Sequence, residues 1–174
     1  MKQPLFLVIG CSGSGKTSVV PSLQALFGSE RQVWDFDAHD FPGLPVLKAW
    51  APGDDPAPYN RRKNLCLQSA AQHRPTPILC GTLLPHEVDD ATRRTFAAIH
   101  WLGLVADAAT ITARLRERRW DEALIAIHAK AHEWYPKMAK EVSPPMPLLD
   151  TSRLTVPQVA AEVREWICRR ETGC

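Results

Sequence analysis

Residues 10–17, "GCSGSGKT", combine three glycines, a lysine and a hydroxyl in the spacing Gly10-x-x-x-x-Gly15-Lys16-Thr17. That spacing is the phosphate-binding P-loop, in which successive backbone N–H groups surround an anion, the lysine reaches the β- and γ-phosphates and the hydroxyl takes Mg²⁺. Glycine is needed because the loop turns through positive φ and the phosphate oxygens come close to the backbone. A helix beginning near Gly15 directs its free N–H groups and positive dipole end at the same anion. Gly10, Cys11, Ser12, Gly13, Ser14, Gly15, Lys16, Thr17 and Ser18 are therefore the candidate nucleotide-binding residues, with Thr17 also a metal ligand.

Phosphoryl transfer is mostly positioning and charge neutralisation, and it uses carboxylates near the metal and the acceptor hydroxyl. "DFD" at 35–37 offers Asp35 and Asp37, which strand alternation would put on one side, sharing a metal or dividing the work of metal ligand and base. The bland alternative is that one of them caps the following turn. Asp40 is a weaker third member. Asp107, after an apolar run, competes for the metal-binding role but reads better as the N-cap of "AATITARL". "DFPG" at 40–43 matches a GTPase DxxG, yet follows the second strand, and no NKxD accompanies it.

Further along, "RLRERR" places Arg114, Arg118 and Arg119 where guanidinium groups would clamp a transferring phosphate, Arg118 and Arg114 first among them; otherwise they form a solvated basic face. Arg61, Arg62 and Lys63 are candidates for an anionic acceptor or else a solvated helix start, and "CGTLLPHE" at 80–87 offers Thr82, His86 and Glu87 to the acceptor. His86 alone reads better as a surface residue. His128 and His132 stand four apart without a third ligand, so packing or a lid over the acceptor is the better reading of "HAKAHEWYPKM".

The elements that position these residues alternate. Apolar runs at 5–9, 31–37, 76–82, 99–106 and 145–150 read as strands. Helical spacing follows Gly15, covers 59–73, about 87–98 and 121–140, continues after Asp107, and ends in a helix with Val156, Val159, Val163 and Ile167 inward. Residues 38–58 read as an irregular Pro- and Gly-rich loop. Such alternation predicts an α/β fold whose parallel sheet is covered on both faces, with ligands at the carboxyl ends of its strands.

With 174 residues, the chain suits one domain. A formal net charge of +2 gives no argument for nucleic acid or a membrane surface. Five cysteines without CxxC spacing, and no apolar window of membrane-spanning length, point to a reduced, cytoplasmic setting.

Together "GCSGSGKT", "WDFD", "DAATITARLRERR" and "LLDTSRLTVPQVAAEVREWI" resemble the small P-loop kinases of the shikimate, gluconate, nucleoside-monophosphate and chloramphenicol phosphotransferase type. "VWDFDAHDFPGLP", "LCGTLLPHE" and "HAKAHEWYPKM" resemble more narrowly a group of uncharacterised bacterial nucleoside or nucleotide kinase-like P-loop proteins. The resemblance implies a three-layer α/β sandwich with a five-stranded parallel sheet in the order 2-3-1-4-5. It implies ATP and Mg²⁺ as cofactors, Asp35 near the metal, Asp37 at the acceptor hydroxyl, and the loop after Asp150 against adenine. The expectation is one kinase-like unit over 1–174, with an acceptor segment at 38–75 and a lid at about 114–140, transferring the γ-phosphoryl group of Mg-ATP to a hydroxyl or phosphate of a small molecule. A nucleotide-binding regulatory protein and a nucleic-acid 5′-hydroxyl kinase are the alternatives. "CGTLLP" replaces the glycine-rich acceptor loop of shikimate kinases, and the acceptor arginine after strand two is missing or displaced to Arg61 and Arg62, so the resemblance does not name the acceptor.

Overall fold

Strand β1, Leu5–Gly10, is buried along its whole length and occupies the middle of the sheet in the computed structural model, which describes residues 1–38 and 55–172. Its alternating side chains feed two separate cores. Leu5, Leu7 and Ile9 enter one with Leu67, Leu79, Ile111, Leu115 and Tyr135, while Phe6 and Val8 enter the other with Val19, Leu23, Val163 and Ile167. Period-two alternation in an all-apolar strand thus requires cover on both faces.

The remaining strands are β2 (Val33–Asp35), β3 (Ile78–Gly81), β4 (Ile99–Val105) and β5 (Leu148–Asp150). Every pairing is parallel and the order is β2-β3-β1-β4-β5, as expected. Helices α1 (Lys16–Phe27) and α7 (Val156–Thr172) supply the apolar residues of one layer. Helices α2 (Ala57–Ala70), α4 (Ala108–Glu117), α5 (Glu122–Ala129) and α6 (Ala131–Glu141) supply those of the other. The pairs Ile9↔Gly81 and Gly10↔Leu104 bring three strand ends to one rim, where α1 begins. None of the described helices is long and apolar enough to cross a membrane.

Several expected elements differ. The second strand is three residues long, so Asp37 lies beyond it in a turn. There Asp35 Oδ1 accepts the Asp37 N–H at 3.1 Å, and the turn, not strand alternation, keeps the two carboxylates together. The helix expected over 87–98 is a 3₁₀ turn, Pro85–Glu87, followed by the single turn α3, Asp90–Arg93. Asp89 starts that turn by accepting from Thr92 N at 2.6 Å, and Thr95 and Phe96 then close back with three-residue spacing onto Thr92 and Arg93. The stretch expected at 121–140 divides at Lys130, which puts His128 and His132 on different helices. Val156 is exposed although Val159, Val163 and Ile167 are buried. Ala57 and Pro58 already belong to α2, whereas Asp40, the "DFPG" stretch and most of the 38–58 loop lie outside the described residues. At the start of α7, the Gln158 side chain reaches back to accept from both Thr155 N, at 2.8 Å, and the Thr155 hydroxyl, at 2.9 Å.

Candidate active site

The P-loop wraps the N-terminus of α1 with Gly13 at φ 83° and Gly15 at φ 102°, both in the left-handed region. Gly10 is required for space. A Cβ there would meet the Leu104 carbonyl oxygen at 2.6 Å and collide with Ser14 Oγ. Ser14 Oγ is itself buried without a hydrogen-bond partner, at the floor of the loop.

Lys16 is buried, and its Nζ donates to the Cys11 carbonyl at 3.0 Å, folding the side chain back over the loop. Burial pushes its ammonium below the usual lysine range, and the neighbouring Asp37, Cys11 and Asp35 oppose that shift. Burial likewise raises the Asp35 carboxyl, with repulsion from Asp37 adding to it and hydrogen bonds from the Asp37 N–H and the Thr17 hydroxyl acting in the other direction. Asp37 is exposed, and both of its oxygens accept the Thr82 N–H at 2.8 Å. That bond ties the turn after β2 to the end of β3. Phe36, between the two acids, is buried against Gly81, where a Cβ would come within 2.7 Å of its ring.

Two cavities meet this centre. One, of about 190 Å³, is lined by Gly13, Gly15, Ser18, Arg114, Arg118 and Thr151. Arg114 Nη1 donates to Gly13 O at 3.0 Å and Thr151 Oγ1 at 3.1 Å, while Nη2 donates to Thr151 O at 2.8 Å. Its guanidinium therefore bolts the P-loop to the β5–α7 loop. Arg118, at the C-terminal cap of α4, keeps an exposed side chain and is close enough to Lys16 to lower its pKa. Arg119 follows at φ 57°, a left-handed turn that ends the helix.

The other cavity, of about 450 Å³, opens beyond Asp37 and is lined by Ser12, Tyr59, Asn60, Lys63, Thr82, Glu87, Trp120, Leu124 and His128. Lys63 Nζ lies 3.0 Å from both oxygens of Glu87, which also accepts the Leu84 N–H at 2.7 Å. Asn64 completes this staple by donating to Glu87 O at 2.9 Å and accepting from Asp89 N at 3.0 Å. Thr82 and Asp37 both line this cavity. Arg61 is exposed and Arg62 is buried with Nη2 donating to Ala38 O at 2.9 Å, and neither lines this cavity. His86 lines a different cavity. Asp107 caps α4, accepting from Thr110 N at 2.7 Å. Tyr59, Asn60, Trp120 and Leu124 were not foreseen as site residues; the four-residue spacing of Trp120, Leu124 and His128 was the available signal.

Among solved structures the chain is similar to three kinases. They are a shikimate kinase from Acinetobacter baumannii in complex with shikimate (TM-score 0.69, 15% identity, 98% of this chain and 95% of that one), a sugar kinase from Janibacter sp. (0.63, 20%, 97% and 95%) and a gluconokinase from Sinorhizobium meliloti (0.61, 16%, 95% and 92%). The fold is that of the small P-loop kinases. No family model and no curated protein matches the sequence.

The residues at the P-loop suit Mg²⁺. The Thr17 hydroxyl bonds the Asp35 carboxylate beside a second carboxylate, Asp37, so that three hard oxygen-bearing side chains gather next to Lys16. Magnesium is ordinarily held by one or two carboxylates and substrate phosphates, with several waters retained, so a dedicated all-protein cage is not required.

Proposed function

We propose that the chain is a phosphotransferase that moves the γ-phosphoryl group of ATP to a hydroxyl of a small molecule. One observation carries this reading: Lys16, Asp35 and Asp37 interact at the junction of two cavities, with Ser12 lining one and its neighbour Gly13 the other. A protein that only bound nucleotide would need the first cavity and no second one facing a carboxylate.

In this reading the P-loop amides and Lys16 hold the phosphates, and Arg118 adds charge at the transferring group. Arg114 acts through the P-loop and the β5–α7 loop it joins. Thr17 and Asp35 would hold Mg²⁺, which supplies charge neutralisation on the phosphates. Asp37, fixed by Thr82, orients the acceptor and takes its proton as the new O–P bond forms and the bond to ADP breaks. Residues 1–174 act as one catalytic unit, in which 38–75 includes acceptor-binding residues and the lid covers about 114–140.

The test is ADP release from Mg·ATP across hydroxyl acceptors, with Asp37→Asn beside the parent. An acceptor-dependent rise, lowered about 10²–10⁴-fold by Asp37→Asn with ATP affinity kept, is the expected result. ATP binding with a flat trace for every acceptor, at equal rates in both proteins, would overturn it in favour of a regulatory nucleotide binder. Release stimulated only by a 5′-hydroxyl oligonucleotide would replace the small-molecule acceptor with a nucleic acid.

A further inference from the structure

We infer that the cavity beyond Asp37 takes an uncharged alcohol carrying an aromatic or apolar ring, and discriminates against carboxylated or phosphorylated acceptors. The inference rests on the kinase reading for what happens to that alcohol, but its selectivity for charge and shape follows from the cavity itself.

The basic run Arg61-Arg62-Lys63 is the sequence feature that suggested an anionic acceptor, yet two of its members lie outside the cavity and the third is paired. Arg61 faces solvent outside the cavity, and Arg62 is turned to the Ala38 carbonyl. Lys63 does line the cavity, yet both oxygens of Glu87 hold its ammonium in a largely shielded pair, with side-chain exposures of 20% and 15%. Among the described lining residues, two carboxylates, Asp37 and Glu87, then stand against the one ammonium of Lys63. An entering anion would compete with both oxygens of Glu87 for the Lys63 ammonium while facing Asp37. Breaking a shielded pair and leaving one charge unpaired is strongly unfavourable.

The opposite wall supplies the ring-binding surface. Trp120, just before α5, and Leu124 and His128 on it follow one another at four-residue intervals, the Trp120 and His128 rings meeting edge to face at 5.4 Å. Trp120 keeps 37% of its surface exposed, an apolar face with room for a partner. Tyr59 from α2 faces the same space. Aromatic and aliphatic walls with a few fixed polar groups are the usual lining of a site for a small molecule, and about 450 Å³ lies within the usual range of such pockets.

Matched ligands separate charge from shape: adenosine with adenosine 5′-monophosphate, methyl shikimate with shikimate, and phenyl β-glucoside with methyl β-glucoside. Binding is measured by calorimetry on the full chain, saturated with Mg²⁺ and a non-hydrolysable ATP analogue, and ADP release is followed in parallel with ATP. The uncharged member of each charge pair is expected to bind at least about tenfold tighter, and the phenyl glucoside tighter than the methyl. Glu87→Gln, checked for folding by its melting curve, frees Lys63 and should narrow the charge preference several-fold. Trp120→Ala, a surface change, should reduce the phenyl preference without altering the charge preference. Tighter binding of the anionic members, no binding by any member, or ratios unmoved in Trp120→Ala would overturn the inference. Binding with the expected ratios but no ADP release would sustain it and sink the kinase reading instead.

Discussion

The two sides of the candidate site are built in opposite ways. On the nucleotide side, nine consecutive residues, Gly10 to Ser18, supply the backbone cradle, and Arg114 and Thr151 lock it from behind through bonds to Gly13 and Ser14. On the acceptor side, residues from the turn after β2, from α2, from the loop after β3, from α5 and the residues before it, and Ser12 of the P-loop meet around one space. The first is a property of local backbone geometry and tolerates little change, because a positive φ or a missing Cβ is required at named positions. The second is a property of tertiary packing, with its lining drawn from separate elements. In the proposed function, such a scaffold would keep its phosphate chemistry while side-chain exchange changed its acceptor.

The sharpest way to break this comparison is at the residue belonging to both sides. Lys16→Ala removes the ammonium that faces the P-loop, Asp35 and Asp37 together. Turnover with the best acceptor should fall by about 10³-fold or more, since electrostatic stabilisation is the main catalytic term in phosphoryl transfer. A variant with more than a tenth of parental kcat would show that the two sides are not joined there. Arg114→Ala addresses the nucleotide side alone. It deletes three bonds to Gly13 and Thr151, and the protein should lose about 1–3 kcal/mol of stability. KM for ATP should rise several-fold with acceptor affinity unchanged, as steady-state kinetics would read. A matching rise in the acceptor KM would mean that the acceptor side leans on the same bolt.

What could be read in advance follows the same division. The P-loop is legible because its function needs particular residue types at fixed, short spacing, and the sheet is legible because Leu5 to Ile9 and Trp101 to Val105 are apolar runs bounded by polar turns. The pair Asp35 and Asp37 was visible as a pair, but its geometry comes from an Asx turn and from Thr82, 45 residues further on. Lys63 and Glu87 are 24 residues apart, and nothing local marks them as partners, so a basic run was read as an anion site. The helix expected over 87–98 failed for a related reason. Apolar spacing there is real, yet Asp89 and Asn64 fix the backbone into turns that periodicity does not register.

The smallest predicted effect tests whether the junction is held under electrostatic tension without its ligands. Burial, reinforced by Asp37, raises the Asp35 pKa in the folded chain above its unfolded value. The folded state then binds that proton more tightly than the unfolded one. The contribution of Asp35 to stability is full below the ordinary aspartate range and is lost as pH rises through the raised folded value. Asp35→Asn keeps an oxygen to accept from Thr17 and the Asp37 N–H but removes the charge. In ligand-free protein it should melt higher than the parent at pH 7, with the difference shrinking toward pH 3. Adding Mg²⁺ and ATP should reverse the order, because ligand binding stabilises the folded parent by mass action and the variant has lost a ligand to the metal. A melting difference independent of pH would show that Asp35 is relaxed in the empty site, and the tension would then have to lie with Lys16.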